Sequence, residues 1–340
     1  MSKKAYYWGI FFVSLLAAPF IVFPSSGYAG EKFLIKFATV APDGTVWMNF
    51  MSDLDKSIRK KSNGELGFKF YPGGILGDEL DVLRKIWTKQ VHSAAFSGEG
   101  ISQILPMVRV LDLPFLFRND QETDRVQEVL YDYFSKHFQE KGFELLSWAE
   151  VGNVHLFSKK PIHRVKDLVG LKIWTGSGDP ISKETFSVMG TNPIPLPVTA
   201  VTTALNTGMI DTVYAPPLGA LALQWHTYTK YMMSLPLTHA TGVVLISKKY
   251  FDEIPPRLTV LLKEDFKRSM SELTSELRKK TEESINLIKA SGVELIPVPS
   301  DADLKEFHKV HDHVAQNLSG KIYPKELLNR VYEILKRHPQ

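Results

Sequence analysis

Residues 169–217, VGLKIWTGSGDPISKETFSVMGTNPIPLPVTAVTTALNTGMIDTVYAPP, constrain what this chain can fold into more than any other stretch. The apolar run 171–174 ends in Thr175-Gly176-Ser177-Gly178, the punctuation expected after a strand. Asp179-Pro180 reads as an N-cap with proline at the first helical position, and Gly190 stops that helix. A short strand at 193–196 precedes Thr199, read as a second N-cap, and a helix through Leu205 that Gly208 ends. Residues 209–214 read as a third strand before the Pro216-Pro217 break. Strand, helix, strand, helix, strand in this span make a βαβαβ unit with a parallel sheet. Ligands of such sheets sit beyond the carboxyl ends of the strands, here at 174–176, 196–197 and 214–216.

The chain opens differently. Lys3 and Lys4 precede an apolar run from Ala5 to Phe23, and Gly27-Tyr28-Ala29 places small residues where a signal peptidase reads. The expectation is a leader cleaved near Ala29 and an exported mature chain, free in a periplasm. An uncleaved anchor is the competing reading. Removing residues 1–29 takes two lysines from the 41 basic residues and none of the 37 acidic ones, leaving a charge of +2. So balanced a chain carries no electrostatic footprint for nucleic acid or an anionic membrane. It has no cysteine, which excludes disulfides, thiolate metal sites and thiol catalysis.

Along the rest of the sequence, 31–40 and 66–71 read as strands around a helix at 45–60. A helix from Asp78 presents Leu80, Leu83, Ile86 and Trp87 as its core face, and the small-residue strand 93–97 follows. This second alternation implies two α/β lobes facing a cleft. The apolar run 106–117 is expected to be buried, with Arg109 paired to Asp112. A helix at 120–141 leads to strands at 143–150 and 155–158 that cross between lobes. Residues 221–233 read as a helix, 242–247 as a returning strand, and 256–290 as a charged helix long enough to span both lobes. A strand at 293–298 and helices at 300–318 and 324–337 complete the chain. The expected fold class is α/β, two-lobed, each lobe a mixed sheet flanked by helices. Lobe I would be 30–151 plus 240–275 and lobe II 152–239 plus 276–337, hinged near 148–158 and 236–246.

Several pieces, in order, carry a family pattern: 37–47, Phe70-Tyr71-Pro72-Gly73-Gly74 with Leu76-Gly77, Leu111-Asp112-Leu113-Pro114-Phe115-Leu116-Phe117, and Lys160-Pro161-Ile162. Asp167-Leu168-Val169-Gly170-Leu171-Lys172-Ile173, residues 195–211 and His239 follow. Together they resemble the solute-binding proteins of TRAP (tripartite ATP-independent periplasmic) transporters. The resemblance implies a small organic solute, by family habit an organic acid, captured between lobes that close on a hinge. It also implies delivery to membrane permease subunits driven by an ion gradient. It implies no cofactor and no catalysis, and leaves open whether the protein is a monomer or a dimer. A ligand sensor and an exported enzyme on the same scaffold are the alternatives; the chain has no Walker, G-x-G-x-x-G, H-E-x-x-H or G-x-S-x-G motif.

The departures from that pattern are specific. An arginine usually follows the Lys-Ile pair and clamps a substrate carboxylate; here Trp174 stands there. The position of a second arginine matches Val154, and that of an asparagine falls in Tyr214-Ala215-Pro216. Indole and isopropyl groups do not replace a forked guanidinium. Trp174 and Tyr214 are therefore candidates for an apolar or planar solute, or equally for core packing. Gln224, Trp225 and His226 form a polar-aromatic cluster next to them. His155, beside the lost arginine position, is a candidate for an anionic group, Glu99 and Glu150 for a cation or hydroxyls, and His239 is a further ligand-site candidate from the family pattern. Whether a metal helps hold the solute is left open. Asp179 reads first as a cap. His308, His311 and His313 do not share one helix face.

Overall fold

The computed structural model describes residues 32–176 and 178–336. The leader expected at 1–29 lies outside the described residues. β1 (Phe33–Ala38), β2 (Leu66–Tyr71) and β3 (Ser93–Phe96) run parallel in the order β2-β1-β3. β4 (Phe143–Ser158) is long enough to serve two sheets. Next come β5 (Trp174–Thr175), β6 (Ile194–Pro195), β7 (Thr212–Ala215), β8 (Tyr231–Met233), β9 (Thr238–Ser247) and β10 (Glu294–Ile296).

β9 pairs antiparallel with β3 on one side and with β4 from Phe143 to Val154 on the other. From His155 onward β4 changes partners, pairing antiparallel with β7 and, at Phe157 and Ser158, with β8, which is parallel to β10. The βαβαβ reading holds: β5 is parallel to β6, and Ile173 makes a parallel bridge to Thr212. Two mixed sheets thus share β4. Where it passes between them, its register against β9 shifts between Glu150 and Gly152. Gly152 takes φ +96°, a conformation that side chains with a Cβ rarely adopt.

The helix Pro256–Ala290 has 35 residues, about 50 Å at 1.5 Å per residue. Its buried stripe Leu258, Leu262, Phe266, Met270 and Leu273 packs with Met51, Leu54 and Phe68 of the first sheet's side. Its far end reaches Ile288, which packs with Val213 and Met232 of the second. Near the crossing, Arg278 binds Glu150 at 3.1 Å and Asp124 at 2.7 Å, pinning the helix to β4 and to the helix Asp120–Glu140.

Three local expectations fail, each for a physical reason. Trp87 is 61% exposed rather than core. The helix Glu79–Trp87 instead buries Glu79, Val82, Leu83 and Ile86, because the Glu79 carboxylate is drawn inside by Ser97 and Gly100. Residues 231–233 are strand β8, not the end of a helix: helix ends at Ala222, Gln224 takes φ +57°, and pairing with β4 and β10 overrides local preference. Thr199 is not an N-cap, since a 3₁₀ turn over Val198–Ala200 delivers the chain to a helix that starts at Val201.

Candidate functional site

A cavity of about 210 Å³ lies beyond the carboxyl ends of β5 and β7. One wall comes from the first sheet's side: Val40, Glu79, Ser97, Glu99, Arg109 and Asp112. The facing wall is Trp174, Gly176, Asp179, Tyr214, Pro216 and Trp225, and the β4–β9 ribbon contributes Val151, Val154, Thr238 and Ala240.

The aromatic wall is a packed unit. Trp174 is stacked on Tyr214, with ring centroids 5.1 Å apart at 25°, and Trp225 meets Trp174 edge-on at 5.2 Å. Trp174 Nε1 donates to the Leu196 carbonyl at 2.9 Å, and Trp225 Nε1 to Thr202 Oγ1 at 3.2 Å. Both indoles are therefore held by the ends of the βαβαβ unit while lining the cavity. Trp174 packs in the core cluster with Val213 and Trp225 and also lines the cavity. Burial, reinforced by nearby Asp179, pushes the Tyr214 phenol well above its usual range, so it stays a neutral donor.

Opposite stands an ionic cluster. Arg109 Nη1 lies 2.8 Å from Asp112 Oδ2, and Nη2 lies 2.7 Å from Asp179 Oδ1. Arg109 is 4% exposed, Asp112 4% and Asp179 8%, so all three side chains are out of water. Asp112 also accepts from the Thr241 amide at 2.7 Å. Asp179 does cap the helix Pro180–Val188, accepting from the Ile181 and Ser182 amides. The same carboxylate ties that helix to Arg109, which belongs to the opposite wall. Burial lowers an arginine's affinity for its proton, but Asp179 and Asp112 more than offset this and the guanidinium is held charged. Burial pushes the Asp112 and Glu79 carboxyls up, against the pull of Arg109 on the first and of the Ser97 and Gly100 donors on the second. Gly98 is required here, because a Cβ on it would overlap the Arg109 guanidinium.

Of the nine residues singled out from the sequence, Trp174, Tyr214, Trp225 and Glu99 line the cavity and five do not. His155 is buried elsewhere, with Nδ1 2.9 Å from the Met233 carbonyl; burial lowers its pKa, so it is a neutral structural imidazole rather than a substitute for a guanidinium. Glu150 is taken up by Arg278, and its Oε1 lies 3.6 Å from His239 Nε2. His239 Nδ1 faces Asn153 Oδ1 at 3.3 Å, so Glu150 and His239 are parts of the crossing ribbon. Gln224 is an exposed turn residue, and His226 Nδ1 faces the Ala220 carbonyl. Among the described residues no group of three or more His, Asp or Glu is placed to hold a metal ion. Glu79 went unnoticed as a cavity residue. The signal was faint: one acidic residue at a helix start, indistinguishable from an ordinary cap partner.

The profile of the bacterial extracellular solute-binding proteins of family 7, DctP, matches residues 37–321. The chain belongs to this family. It is a solute-binding protein with the two-lobed α/β fold, and the family is one of binding proteins rather than enzymes. Among curated relatives, the 2,3-diketo-L-gulonate-binding periplasmic protein of Escherichia coli is 24% identical over 330 residues, covering 94% of this chain and 97% of its own. The sugar acid binding protein of Advenella mimigardefordensis, solved with galactonate, superposes with a TM-score of 0.85 at 21% identity, over 90% of this chain and 99% of that one. A TRAP periplasmic solute-binding protein from Desulfovibrio salexigens, solved with orotic acid, gives 0.84 at 19% identity, over 90% and 99%. At these identities the solved structures speak to the fold. No helix among the described residues is long and apolar enough to cross a membrane.

Proposed function

We propose that the protein captures a small organic acid in the cavity between its lobes, in the periplasm, and delivers it unchanged to the permease subunits of a TRAP transporter. The observation that carries this reading is the cavity itself, walled from both sheets, with aromatic faces on one side and a buried arginine on the other. A volume of about 210 Å³ suits a metabolite of modest size and falls below the range of about 300–1,000 Å³ usual for drug-sized ligands. Relatives described as holding diketogulonate, galactonate and orotic acid support an acid as the solute class. The lysine-led apolar segment and Gly27-Tyr28-Ala29 support export with cleavage after Ala29.

Closure is a hinge motion on the β4–β9 ribbon. Gly152 and the register shift beside it supply the flexible point, and the solute stabilises the closed form through contacts that the open form lacks. The test is calorimetric titration of the purified protein with organic acids, followed by mass spectrometry of the recovered solute. One equivalent bound and returned intact is the expected result; conversion to a product would reject the reading. Uptake of the same acid by cells should need both this protein and its permease.

A further inference from the structure

A second cavity, of about 200 Å³, lies at the opposite end of the first sheet from the solute cavity. Ser97, past the carboxyl end of β3, lines the solute cavity. His92, just before the amino end of β3, and Ser247, at the end of antiparallel β9, line the second one. Lys89, Lys249, Tyr250 and Glu253 complete its polar lining.

The two lysines are close neighbours without a counterion. Lys248 has Asp252 at 2.6 Å, but neither Lys89 nor Lys249 has a carboxylate within ion-pair distance among the described residues. Contact with the Lys249 side chain, and then its charge, lowers the proton affinity of the Lys89 ammonium, while Glu253 pulls the other way. Lys36 adds to the same field: after burial, its charge is what holds the pKa of His92 down. Lys36, Lys89 and Lys249 against Glu253 leave two positive charges around the cavity.

His92 is held as a donor. The Lys36 amide donates to Nδ1 at 3.2 Å, and the Leu34 carbonyl, also 3.2 Å from Nδ1, already accepts from the Tyr250 hydroxyl at 3.1 Å. A neutral ring whose Nδ1 accepts carries its proton on Nε2. That nitrogen has no partner among the described residues. Tyr250 stacks on the ring, with centroids 3.7 Å apart at 13°, and fixes its plane.

The backbone that presents Lys89 is a costly one for lysine. The Lys89 amide bonds the Ile86 carbonyl and the Gln90 amide the Lys85 carbonyl, both at 2.9 Å, closing the helix Glu79–Trp87 in a Schellman motif. Lys89 occupies its left-handed position at φ +62°, where glycine is usual. A long cationic side chain thus stands where none is favoured, beside a second one.

We propose that this cavity is a second binding site, for a small divalent oxyanion of the chemistry of phosphate or sulfate. The Lys89 and Lys249 ammonium groups, His92 Nε2–H and the Ser247 hydroxyl donate to its oxygens, and its two charges match the two in excess. The site is remote from solute capture and does not depend on it.

The test uses the purified mature protein at pH 7.5 with sodium phosphate, sulfate or chloride at equal ionic strength, which removes differences in screening. Calorimetry should show saturable binding of phosphate with a dissociation constant on the order of 1 mM, and chloride weaker by about tenfold or more. Saturable sulfate binding at the same site would support the same chemistry. Lys249→Gln should weaken phosphate about tenfold. Lys89→Gly should act in two opposite directions: it relieves the left-handed lysine and raises the urea midpoint without phosphate, yet weakens phosphate about tenfold. Trp174→Ala, at the other end of the sheet, should keep the phosphate response of the parent. Equal stabilisation of parent, Lys249→Gln and Lys89→Gly by phosphate would be the general effect of an excluded salt and would overturn the proposal. So would a phosphate response lost in Trp174→Ala, which would place the anion between the lobes, or the absence of saturable binding.

Discussion

Replacing Arg109 by methionine keeps much of the side-chain volume and removes the charge that Asp112 and Asp179 share. Both carboxylates are more than nine-tenths buried and each lies within 2.8 Å of the guanidinium. Removing one partner from such a buried pair costs about 3–5 kcal/mol, because the remaining charge is stranded. Two features of the site argue for the low end. Asp112 already has its pKa raised by burial and can take up a proton, and Asp179 keeps the Ile181 and Ser182 amides. The expected loss is therefore about 3 kcal/mol, read as a lower urea midpoint with an unchanged slope. In melting temperature it corresponds to roughly 5–10 °C for a chain of this size. Arg109→Met with Asp112→Asn should be more stable than the sum of the two single losses, since the second change removes the stranded charge. Gly98→Ala should fail in the same direction by displacing the guanidinium. A loss below about 1 kcal/mol for Arg109→Met would mean the guanidinium is hydrated and refute the description of a dry cluster.

Three other outcomes are expected. Trp174→Ala should destabilise by about 3 kcal/mol, as large aromatic truncations in packed sites do, and should abolish measurable solute binding; Trp174→Phe should recover most of the stability. If Trp174→Ala binds as tightly as the parent, the cavity assignment is wrong. Burial favours neutral His155, so the folded chain protonates at lower pH than the unfolded chain. Its contribution to stability is complete above the ordinary histidine value and is lost as pH falls from there through the lowered folded value. Urea titrations at pH 7.5 and 5.5 should show a smaller acid loss for His155→Gln than for the parent, and equal losses would count against this. Arg278→Met should cut the tie between the long helix and Glu150, Asp120 and Asp124, lowering stability by about 1–2 kcal/mol in a salt-sensitive way.

Much of the fold was legible because it is written in local terms. The βαβαβ unit has strand, cap and stop signals packed into one stretch, and Asp179, Gly190 and Gly208 sit where the helices begin and end. What escaped was set by distant partners. Strand β8 exists because β4 and β10 flank it, although its own sequence reads as helix. Trp87 points outward because Glu79 is anchored inside by Ser97 and Gly100, which lie 18 and 21 residues further on. The site divides the same way. Trp174 and Tyr214 could be found from strand ends and from the family position that one of them occupies. The Arg109–Asp179 bond joins residues 70 apart, and each had a sufficient local explanation, as partner of Asp112 and as a helix cap. His155 and His239 stood out by their places beside the lost arginine position and in the family pattern, and such places carry no information about whether a backbone carbonyl or an asparagine will claim the ring.

The most direct measurement is a crystal structure of the protein with its bound solute. The account predicts one molecule enclosed by both walls, in contact with Trp174 or Tyr214 on one side and with Glu79, Ser97 or Arg109 on the other. A solute that touches only one wall, or that lies outside the β4–β9 crossing, would contradict it.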